Sequence, residues 1–460
     1  MSKIISILLF LSTYIIAASD KPNIILIMAD DVGWEAFGSY GTEDYKTPNL
    51  DALAANGVQF NHCYSTPICT TSRVMIMTGQ YNFRNYTHFG YLNPKEKTFG
   101  NLLQENGYKT AIAGKWQLNG LYNKLPGHDD KTRPYKAGFD EYCLWQLTKE
   151  KKSGGERFWS PMLEKNGEEI SKDTNKDLFG PDIFSDFICD FMERHKDEPF
   201  FIYYPMVLVH DPFIPSPDTV GNASRGAERN KEPKDKKQRK ANFVSMVEYT
   251  DKIIGKIRKK LEEISQSENT IILFTADNGT HPKITSNWKG QEVKGGKGGM
   301  TDPGTHVPLI VSWEGKSLKS AKTDALVDFT DFYTTFAEIA NIDLGENDPI
   351  DGYSFLPQLL GNKSTRRDFV LCHYQPYWNK KPGQFARTAK YKLYRDGRFY
   401  ETAKDLTERN DLSKKMNSEV MMTAHEKLKS FLDTCPPAPE NIKADKNTKQ
   451  RPTYPNHKKL

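Results

Sequence analysis

Short apolar runs and amphipathic segments alternate along most of the chain. Residues 21–31 (KPNIILIMADD) and 269–278 (NTIILFTADN) are apolar, rich in β-branched residues and end in polar side chains, so each predicts a buried strand. Between such runs lie segments with apolar residues at helical spacing, of which 243–264 is a long example. The alternation predicts an α/β fold with a large, mostly parallel sheet flanked by helices.

From about residue 365 this alternation stops. Residues 386–413 have the pattern of antiparallel strands with a turn at Asp396-Gly397, and a helix is predicted from about Ser418 to Leu432. We therefore predict a smaller C-terminal domain that contains an antiparallel sheet. The expected organisation is a signal peptide, an N-terminal α/β catalytic domain, a C-terminal α+β subdomain and a basic, disordered tail, at residues 1–19, 20–364, 365–435 and 436–460.

The first 19 residues have the layout of a cleavable signal peptide. Lys3 precedes an apolar run from Ile4 to Ile16, and the small residues Ala17, Ala18 and Ser19 follow. This run is short compared with the roughly 20 apolar residues that span a bilayer, so an uncleaved anchor is the less favoured alternative. The sequence therefore predicts a secreted or periplasmic protein with no stable membrane anchor.

Charge and cysteine content exclude some classes of protein. The formal net charge is +5, and basic residues are concentrated in residues 225–240 and in the tail after Cys435. Such charge runs are typical of solvated loops and tails, so we expect no nucleic-acid partner. Six cysteines in 460 residues do not make a disulfide framework, although a bridge between Cys63 and Cys69 remains an alternative.

Four oxygen-bearing side chains follow two predicted strands that lie far apart in the sequence. Asp30 and Asp31 follow the first strand, and Asp277 and Asn278 follow the second. Because the carboxyl ends of parallel strands meet at one edge of a sheet, we expect these side chains to lie close together. Grouped carboxylates repel one another unless a cation lies among them, and oxygen ligands favour Ca²⁺ or Mg²⁺. The sequence predicts a metal site, with two ordinary turns as the alternative.

Cations and one histidine are predicted near the same edge. Lys115 ends a third predicted strand, His210 follows a fourth, and Lys297 lies in the glycine-rich segment 294–308. A metal surrounded by cations suits a compact anion such as sulfate or phosphate. A solvated surface position is the alternative for each lysine, and a buried structural role is the alternative for His210.

The stretch CTTSR, from Cys69 to Arg73, resembles the signature of the formylglycine sulfatases, Cys-x-Pro-x-Arg or Cys-x-Ala-x-Arg. Further segments resemble that family in the same order along the chain: NIILIMADDVGW, AGKWQLNG, FTADNG, KGGKGGMTDPGTHVPLIV and, in the C-terminal domain, LYRDGRFYETAKDLTERNDL. Several ordered segments are far more specific than the five-residue signature alone. The chain therefore resembles the formylglycine-dependent sulfatases of the alkaline phosphatase superfamily.

The resemblance implies a sulfuric ester hydrolase in which a maturation enzyme oxidises Cys69 to formylglycine. The hydrated aldehyde would attack sulfur and release the substrate alcohol, and elimination of sulfate would restore the aldehyde. Arg73 would steady the hydrate, and His210 would protonate or hydrogen-bond the leaving oxygen. The other carried-over roles are sulfate binding by Lys115 and Lys297, and binding of one Ca²⁺ by Asp30, Asp31, Asp277, Asn278 and the modified Cys69.

The chain departs from the family pattern at three positions. Thr71 stands where the signature has proline or alanine, which bears on the conversion of Cys69. Gln117 stands where the family usually has a histidine that helps to eliminate sulfate, and an amide cannot act as a base. His306 stands where arginine is common. We expect Gln117, His306 and, without a motif to anchor it, Thr148 to contact the substrate.

The resemblance predicts that the substrate is an organic sulfate ester. The usual substrates of the family, together with the expected export, suggest a sulfated carbohydrate. Two alternatives remain open. One is a phosphate or phosphonate ester hydrolase of the same superfamily. The other is a catalytically silent protein that binds sulfated glycans and keeps Cys69 as a thiol.

Overall fold

The computed structural model of the protein describes residues 21–149, 157–221, 229–345, 348–362, 367–374, 383–436 and 453–460. The strands in these ranges are β1 (Asn23–Ala29), β2 (Val58–Tyr64), β3 (Lys109–Lys115), β4 (Glu141–Trp145), β5 (Leu163–Lys165), β6 (Glu168–Ile170), β7 (Phe200–Pro205), β8 (Thr270–Ala276), β9 (Thr285–Trp288), β10 (Gln291–Lys294), β11 (His306–Trp313), β12 (Ala321–Asp328), β13 (Val370–Tyr374), β14 (Gly383–Arg387), β15 (Tyr391–Tyr394) and β16 (Phe399–Glu401).

The α-helices of the described residues connect and cover these strands. They are α1 (Pro48–Ala55), α2 (Cys69–Thr78), α3 (Asn82–Asn85), α4 (Phe99–Glu105), α5 (Arg133–Lys136), α6 (Gly180–Arg194), α7 (Lys236–Glu263), α8 (Asp302–Thr305), α9 (Asp331–Ile339), α10 (Leu356–Leu359) and α11 (Glu419–Thr434). Helix α7 contains the long amphipathic segment that the sequence predicts, and its buried residues include Phe243, Ile254 and Leu261.

Within the described residues, ten strands form one large mixed sheet, in the order β12-β2-β11-β8-β1-β7-β3-β4-β5-β6. The central strands β8, β1, β7, β3 and β4 are parallel to one another. The predicted large, mostly parallel α/β sheet is therefore confirmed. Strand β11 differs from the simple alternation because it runs antiparallel to both β2 and β8.

The central strands are buried along their whole length, which explains their continuous apolar sequences. Every residue of β1, β7 and β8 is buried, as required for a sheet covered on both faces. Ala29 at the end of β1 pairs with Ala276 at the end of β8. This register places the residues that follow the two strands, Asp30 and Asp277, side by side at the carboxyl edge of the sheet.

A four-stranded antiparallel sheet, β13-β14-β15-β16, forms the C-terminal part of the described chain. The predicted turn at Asp396-Gly397 joins β15 to β16, and the predicted C-terminal helix is α11. A hydrophobic cluster on this sheet packs against Ile68 and Met300, and its buried members are Cys372, Tyr374, Phe385, Tyr394 and Tyr400. We call these five residues the C-terminal cluster. It lies directly against the residue before Cys69 and the loop that carries Lys297.

The end of the tail differs from the expected disorder, because residues 453–460 pack against the rest of the protein. The backbone of Tyr454 donates to the carbonyl of Phe83 at 2.7 Å, and Arg84 donates to the carbonyl of His457 at 2.5 Å. Arg84 is itself held by a buried ion pair with Asp351. After pairing with Asp351, Arg84 still donates hydrogen bonds to backbone carbonyls of the tail. These bonds explain why this part of a polar tail is ordered.

Other expectations from the sequence have simpler outcomes. The predicted signal peptide lies outside the described residues, and among the residues described no helix is long and apolar enough to cross a membrane. Cys63 and Cys69 are both free thiols, so the alternative of a bridge between them is not realised.

One buried ion pair connects the small sheet to the large one. Arg387 on β14 donates to Asp302 at 2.5 Å, and its guanidinium lies 3.8 Å from the centre of the Tyr64 ring on β2. Both charged residues are buried. Loss of one partner would leave the other charge buried without compensation.

We expect Arg387→Met to lower the free energy of unfolding by about 3–5 kcal/mol, because it leaves the Asp302 carboxylate buried and unpaired. Urea unfolding followed by circular dichroism measures this. The double variant Arg387→Met/Asp302→Asn should recover part of the loss. Arg194→Met, which removes the half-exposed pair with Glu141, serves as the control and should cost about 1 kcal/mol or less. Equal losses in both single variants would contradict the assignment.

Candidate active site

The loops after β1 and β8 bring four oxygen-bearing side chains together, namely Asp30, Asp31, Asp277 and Asn278. The backbone N–H of Asp31 donates to Oδ1 of Asp277 at 3.1 Å, and Nδ2 of Asn278 donates to Oδ1 of Asp31 at 2.9 Å. All four residues are at most 1% exposed. Asp31 has a φ of 64°, which turns the chain sharply after the strand and directs two successive carboxylates into one site.

Two lysines neutralise these carboxylates. Lys115, at the end of β3, donates to both oxygens of Asp30 at 2.9 and 2.8 Å, and Lys297 donates to Oδ2 of Asp31. Burial alone would lower the pKa of each lysine. The pKa nevertheless lies above its usual value, mainly because Asp30 lies beside Lys115 and Asp31 lies beside Lys297. Both lysines are therefore held as cations inside the protein.

Among the described residues, no lysine forms such a pair with Asp277. Burial raises its pKa well above the usual value, and the neighbouring charge of Asp30 adds to this increase. Burial also opposes ionisation of Asp30. Nearby cations, above all Lys115, nevertheless lower the pKa of Asp30 below its usual range. The two carboxylates thus differ because the available lysine pairs with only one of them.

Cys69 is the first residue of α2 and is 3% exposed. Its Sγ lies 3.9 Å from Oε1 of Gln117. Burial raises the pKa of the thiol, and the charges of Lys115, Asp277 and Lys297 also act on it, so Cys69 lies beside the carboxylate and lysine group. A buried thiol with a raised pKa is a poor nucleophile as it stands.

The start of α2 is fixed by hydroxyl groups. Thr71 donates to the carbonyl of Ile68 at 2.8 Å, and Ser72 accepts a hydrogen bond from the backbone of Thr66 at 3.1 Å. One turn further along, Arg73 donates to the backbone carbonyl of Lys115. The residues of the CTTSR stretch therefore hold Cys69 at the end of β3, and Thr71 fits this turn without an unpaired hydroxyl.

His210 lies beside the same carboxylates, in the loop after β7. Its Nε2 is 3.1 Å from Nζ of Lys297 and 3.4 Å from Oδ2 of Asp31, and its Nδ1 is 2.8 Å from Oδ1 of Asp211. Burial lowers the pKa of the imidazole, while Asp31 opposes this effect. Asp211 fixes the ring so that Nε2 is directed into the site.

Gln117 and Gln146 form a clamp on one tyrosine that sequence reasoning did not find. Their side-chain amides donate to the hydroxyl of Tyr122 at 2.7 and 2.9 Å. Both glutamines have positive φ values, 49° and 58°, at the ends of the neighbouring strands β3 and β4. Because the Nε2 of Gln117 is engaged by Tyr122, its Oε1 is directed towards Cys69.

Two predicted substrate-binding residues are engaged elsewhere. The hydroxyl of Thr148 donates to Glu164 at 2.9 Å. His306 stacks on Trp34, with ring centres 4.3 Å apart, and its Nε2 is 2.9 Å from the carbonyl of Asn61. His306 lines a cavity of about 500 Å³ that also borders Arg387. The substrate contacts predicted for both residues stay predictions.

Arg157 is a further cation of the site that no sequence motif indicates. Its Nη1 lies 3.9 Å from Oδ2 of Asp30, and its guanidinium lies 4.2 Å from the centre of the Trp145 ring. The residue is 5% exposed. It follows a segment without periodicity or signature, so only the folded arrangement reveals it.

The residues of this site fit a hard divalent cation. Oδ1 of Asn278 is buried without a hydrogen-bond partner among the described residues, and Asp277 is a buried carboxyl whose charge is not balanced. Asp30, Asp31 and His210 also form a group with potential ligand atoms within 4.8 Å of one another. Three carboxyl groups and one amide oxygen are a donor set that suits Ca²⁺ better than a soft metal.

Comparison with known proteins gives the family. The sequence matches the Sulfatase family profile over residues 22–342, which is more than half of the chain, and the profile of the N-sulphoglucosamine sulphohydrolase C-terminal family over residues 296–434. The chain belongs to the sulfatase family. This sulfatase is accordingly a sulfuric ester hydrolase. It is 29% identical to the N-acetylgalactosamine-6-sulfatase of Canis lupus familiaris over 385 residues, which cover 76% of this chain and 68% of that enzyme.

Solved structures share the whole architecture of this sulfatase. Ps i-CgsB in complex with k-i-k-neocarrahexaose is 25% identical, with a TM-score of 0.72 over 92% of this chain and 94% of that chain. The phosphonate monoester hydrolase of Agrobacterium radiobacter is 18% identical, with a TM-score of 0.66 over 90% and 96% of the two chains. At that level of identity the second likeness shows the fold alone.

The buried His306 makes the stability of this sulfatase depend on pH. Burial is the main cause that lowers its pKa to about 3, whereas histidine in an unfolded chain has a pKa of about 6.5. The unfolded state therefore binds the extra proton as the pH falls below about 6.5, and the folded state loses stability between that value and about 3.

We expect the drop in unfolding free energy between pH 7 and pH 5 to be about 2 kcal/mol smaller in His306→Gln than in the unsubstituted protein. Urea unfolding at the two pH values measures the difference. His425→Gln on α11 removes a partly exposed histidine and is the matched control. A drop of the same size in His306→Gln and the unsubstituted protein would contradict a buried neutral imidazole.

Proposed function

We propose that this sulfatase is an exported enzyme that hydrolyses sulfate esters of a carbohydrate, with formylglycine derived from Cys69 and one Ca²⁺. The observation that carries the proposal is the position of Cys69, which begins α2 beside three buried carboxyl groups, the buried Lys115 and the partly buried Lys297. A thiol with a raised pKa has little use there as a nucleophile. A precursor that a maturation enzyme oxidises to formylglycine accounts for this environment.

The metal would be held by Asp30, Asp31, Asp277, Asn278 and the modified side chain at position 69. The unpartnered Oδ1 of Asn278 and the unbalanced carboxyl of Asp277 support this set. Bound Ca²⁺ supplies neutralisation of the carboxylates and Lewis-acid polarisation of a sulfate oxygen. Formylglycine supplies an aldehyde hydrate, which combines a nucleophilic hydroxyl with a second hydroxyl for the release of sulfate.

The lysines of the site would bind the sulfate group. Lys115 is buried and Lys297 is partly buried, and these cations pair with Asp30 and Asp31 respectively. With these carboxylates neutralised, the two ammonium groups would be free to donate to sulfate oxygens. Such donors are fixed in place before the reaction, so they stabilise charge on the sulfate oxygens without reorganisation.

His210 is the group that would deliver a proton to the leaving alcohol. Its Nδ1 is held by Asp211, and its Nε2 is directed at the same region as Lys297. To act as a general acid, Nε2 must carry a proton before the ester bond breaks, and the neighbouring carboxylate of Asp31 favours the protonated ring. Arg73 would act through position, because it ties α2 to the end of β3.

The proposal that the substrate is a carbohydrate rests on related proteins. The N-acetylgalactosamine-6-sulfatase of Canis lupus familiaris is named for a sulfated amino sugar, and Ps i-CgsB was solved with an oligosaccharide. Export rests on the signal-like residues 1–19. The substitution of Gln117 for the usual histidine favours one second candidate, a silent binder of sulfated glycans.

We expect peptide mass spectrometry across Cys69 to find a loss of about 18 Da, the result of replacing a thiol by an aldehyde, in protein from a host with the maturation machinery. The same preparation should release sulfate from N-acetylgalactosamine 6-sulfate or another sulfated sugar. Cys69→Ala should bind these sugars but release no sulfate. An unmodified cysteine together with binding and no turnover would favour the silent binder.

We expect Asp277→Ala to lower kcat/KM by more than about a hundredfold. In other metal sites, loss of a residue that only hydrogen-bonds a metal ligand already lowers metal affinity or activity about 10–100-fold. It should also abolish the stabilisation by calcium, which is about 2.7 kcal/mol at a hundredfold excess over Kd. Thermal unfolding with Ca²⁺ or with chelator measures this directly. Asp218→Ala, which removes an exposed pair with Lys252, is the control. Normal activity in Asp277→Ala would remove the metal from the proposal.

A further inference from the structure

Arg157 is a buried cation that the proposed roles leave without a task. It is 5% exposed, and its guanidinium is held over the Trp145 ring at 4.2 Å. Its Nη1 faces Oδ2 of Asp30 at 3.9 Å, which is too long for a hydrogen bond. The stacking fixes the plane of the guanidinium, so the group is preorganised at the wall of the active site.

Two of the guanidinium nitrogens are buried without a hydrogen bond in the described part of the chain. Nε and Nη1 of Arg157 are buried and make no hydrogen bond to any part of the chain that the structure describes. A buried charged donor that stays unpaired is costly, and a guanidinium fork suits the two oxygens of a carboxylate or sulfate. The site therefore holds an unused anion-binding group.

The balance of charge within the site also indicates that Arg157 binds an anion. Asp30 is already bonded through both oxygens to Lys115, and Asp31 is bonded to Lys297. A divalent cation among the carboxylates would neutralise most of their charge. One ester sulfate then adds a single negative charge against Lys115, Lys297 and Arg157, which leaves positive charge unbalanced in a buried site.

The position of Arg157 associates it with the leaving alcohol. Trp159, two residues further on, donates through Nε1 to the carbonyl of Pro215, in the loop that carries His210. Burial lowers the pKa of His210, and the charge of Arg157 is among those that add to this effect. Since His210 is the proposed proton donor to the leaving oxygen, Arg157 lies where the alcohol part of the substrate would emerge.

We propose that Arg157 binds a second anionic group, a sulfate or a carboxylate, on the sugar residue or disaccharide that carries the scissile sulfate. The inference rests on the proposed function and narrows its substrates to carbohydrates with at least two negative charges. The anion would accept hydrogen bonds from Nε and Nη1. Arg157 is thus a specificity-determining residue for the same reaction.

The test compares three probes on the matured enzyme: N-acetylgalactosamine 6-sulfate, N-acetylgalactosamine 4,6-disulfate, and the disaccharide of a hexuronic acid with N-acetylgalactosamine 6-sulfate. We expect at least one doubly charged probe to be preferred. Arg157→Met should lower kcat/KM for that probe by about ten- to a hundredfold more than for the 6-sulfate, the usual effect of losing a charge-assisted hydrogen bond. The loss should fall mainly on KM. Preference for the disulfate or for the uronate identifies the second anion.

Arg157→Lys keeps the charge without the fork and should retain part of the preference. Arg398→Met is the matched control, because Arg398 stacks on Tyr394 at the same 4.2 Å but lies in the C-terminal sheet. Thermal unfolding checks that each variant is folded, and Arg157→Gln replaces Arg157→Met if the latter is not.

Each outcome separates the inference from the proposed function. Equal losses for singly and doubly charged probes in the Arg157 variants would overturn the inference and assign Arg157 to the scissile sulfate or to Asp30. Absence of any preference in the unsubstituted enzyme would overturn it as well. Failure of the matured enzyme to hydrolyse all three probes and a wider panel of sulfated sugars would instead overturn the proposed function.

Discussion

Mutual repulsion among three carboxyl groups buried at the ends of β1 and β8 is the constraint on which the rest of the site depends. The sheet register forces Asp30 and Asp277 together, and water is excluded from both. Such a group persists only if cations surround it, which accounts for the two lysines, one at the end of β3 and one in the glycine-rich loop before α8. The same cations make the site attractive to a sulfate ester. Stability of the folded site and affinity for an anion therefore have one electrostatic origin.

Much of this arrangement follows from the sequence, for physical reasons that differ from residue to residue. Asp30, Asp277 and Lys115 directly follow or end apolar strands, so a simple rule about strand ends brings them together. Arg157 and Tyr122 follow no such rule, since one lies after an aperiodic segment and the other is 46% exposed in a short 3₁₀ helix. The ordered end of the tail was missed because its partner, Arg84, lies far away in the sequence.

The departures from the family signature have different consequences in the folded protein. Thr71 is accommodated fully, because its hydroxyl bonds the carbonyl of Ile68 within the turn that presents Cys69. Gln117 changes the chemistry of its position, since its amide is anchored to Tyr122 and offers only an acceptor oxygen towards Cys69. A fixed acceptor can orient a hydroxyl group but cannot carry its proton away. In the proposed mechanism, the step that expels sulfate would then use another base or solvent.

The C-terminal cluster lies against Ile68 and Met300, so both the start of α2 and the lysine loop rest on residues encoded near the end of the chain. Lys392 strengthens this connection by donating to the carbonyl of Met300. A ribosome makes Cys69 long before it makes these supports. During synthesis the cysteine therefore passes through a period in which its own segment exists but its enclosure does not. The order of synthesis would give the proposed maturation enzyme access to a side chain that the finished fold conceals.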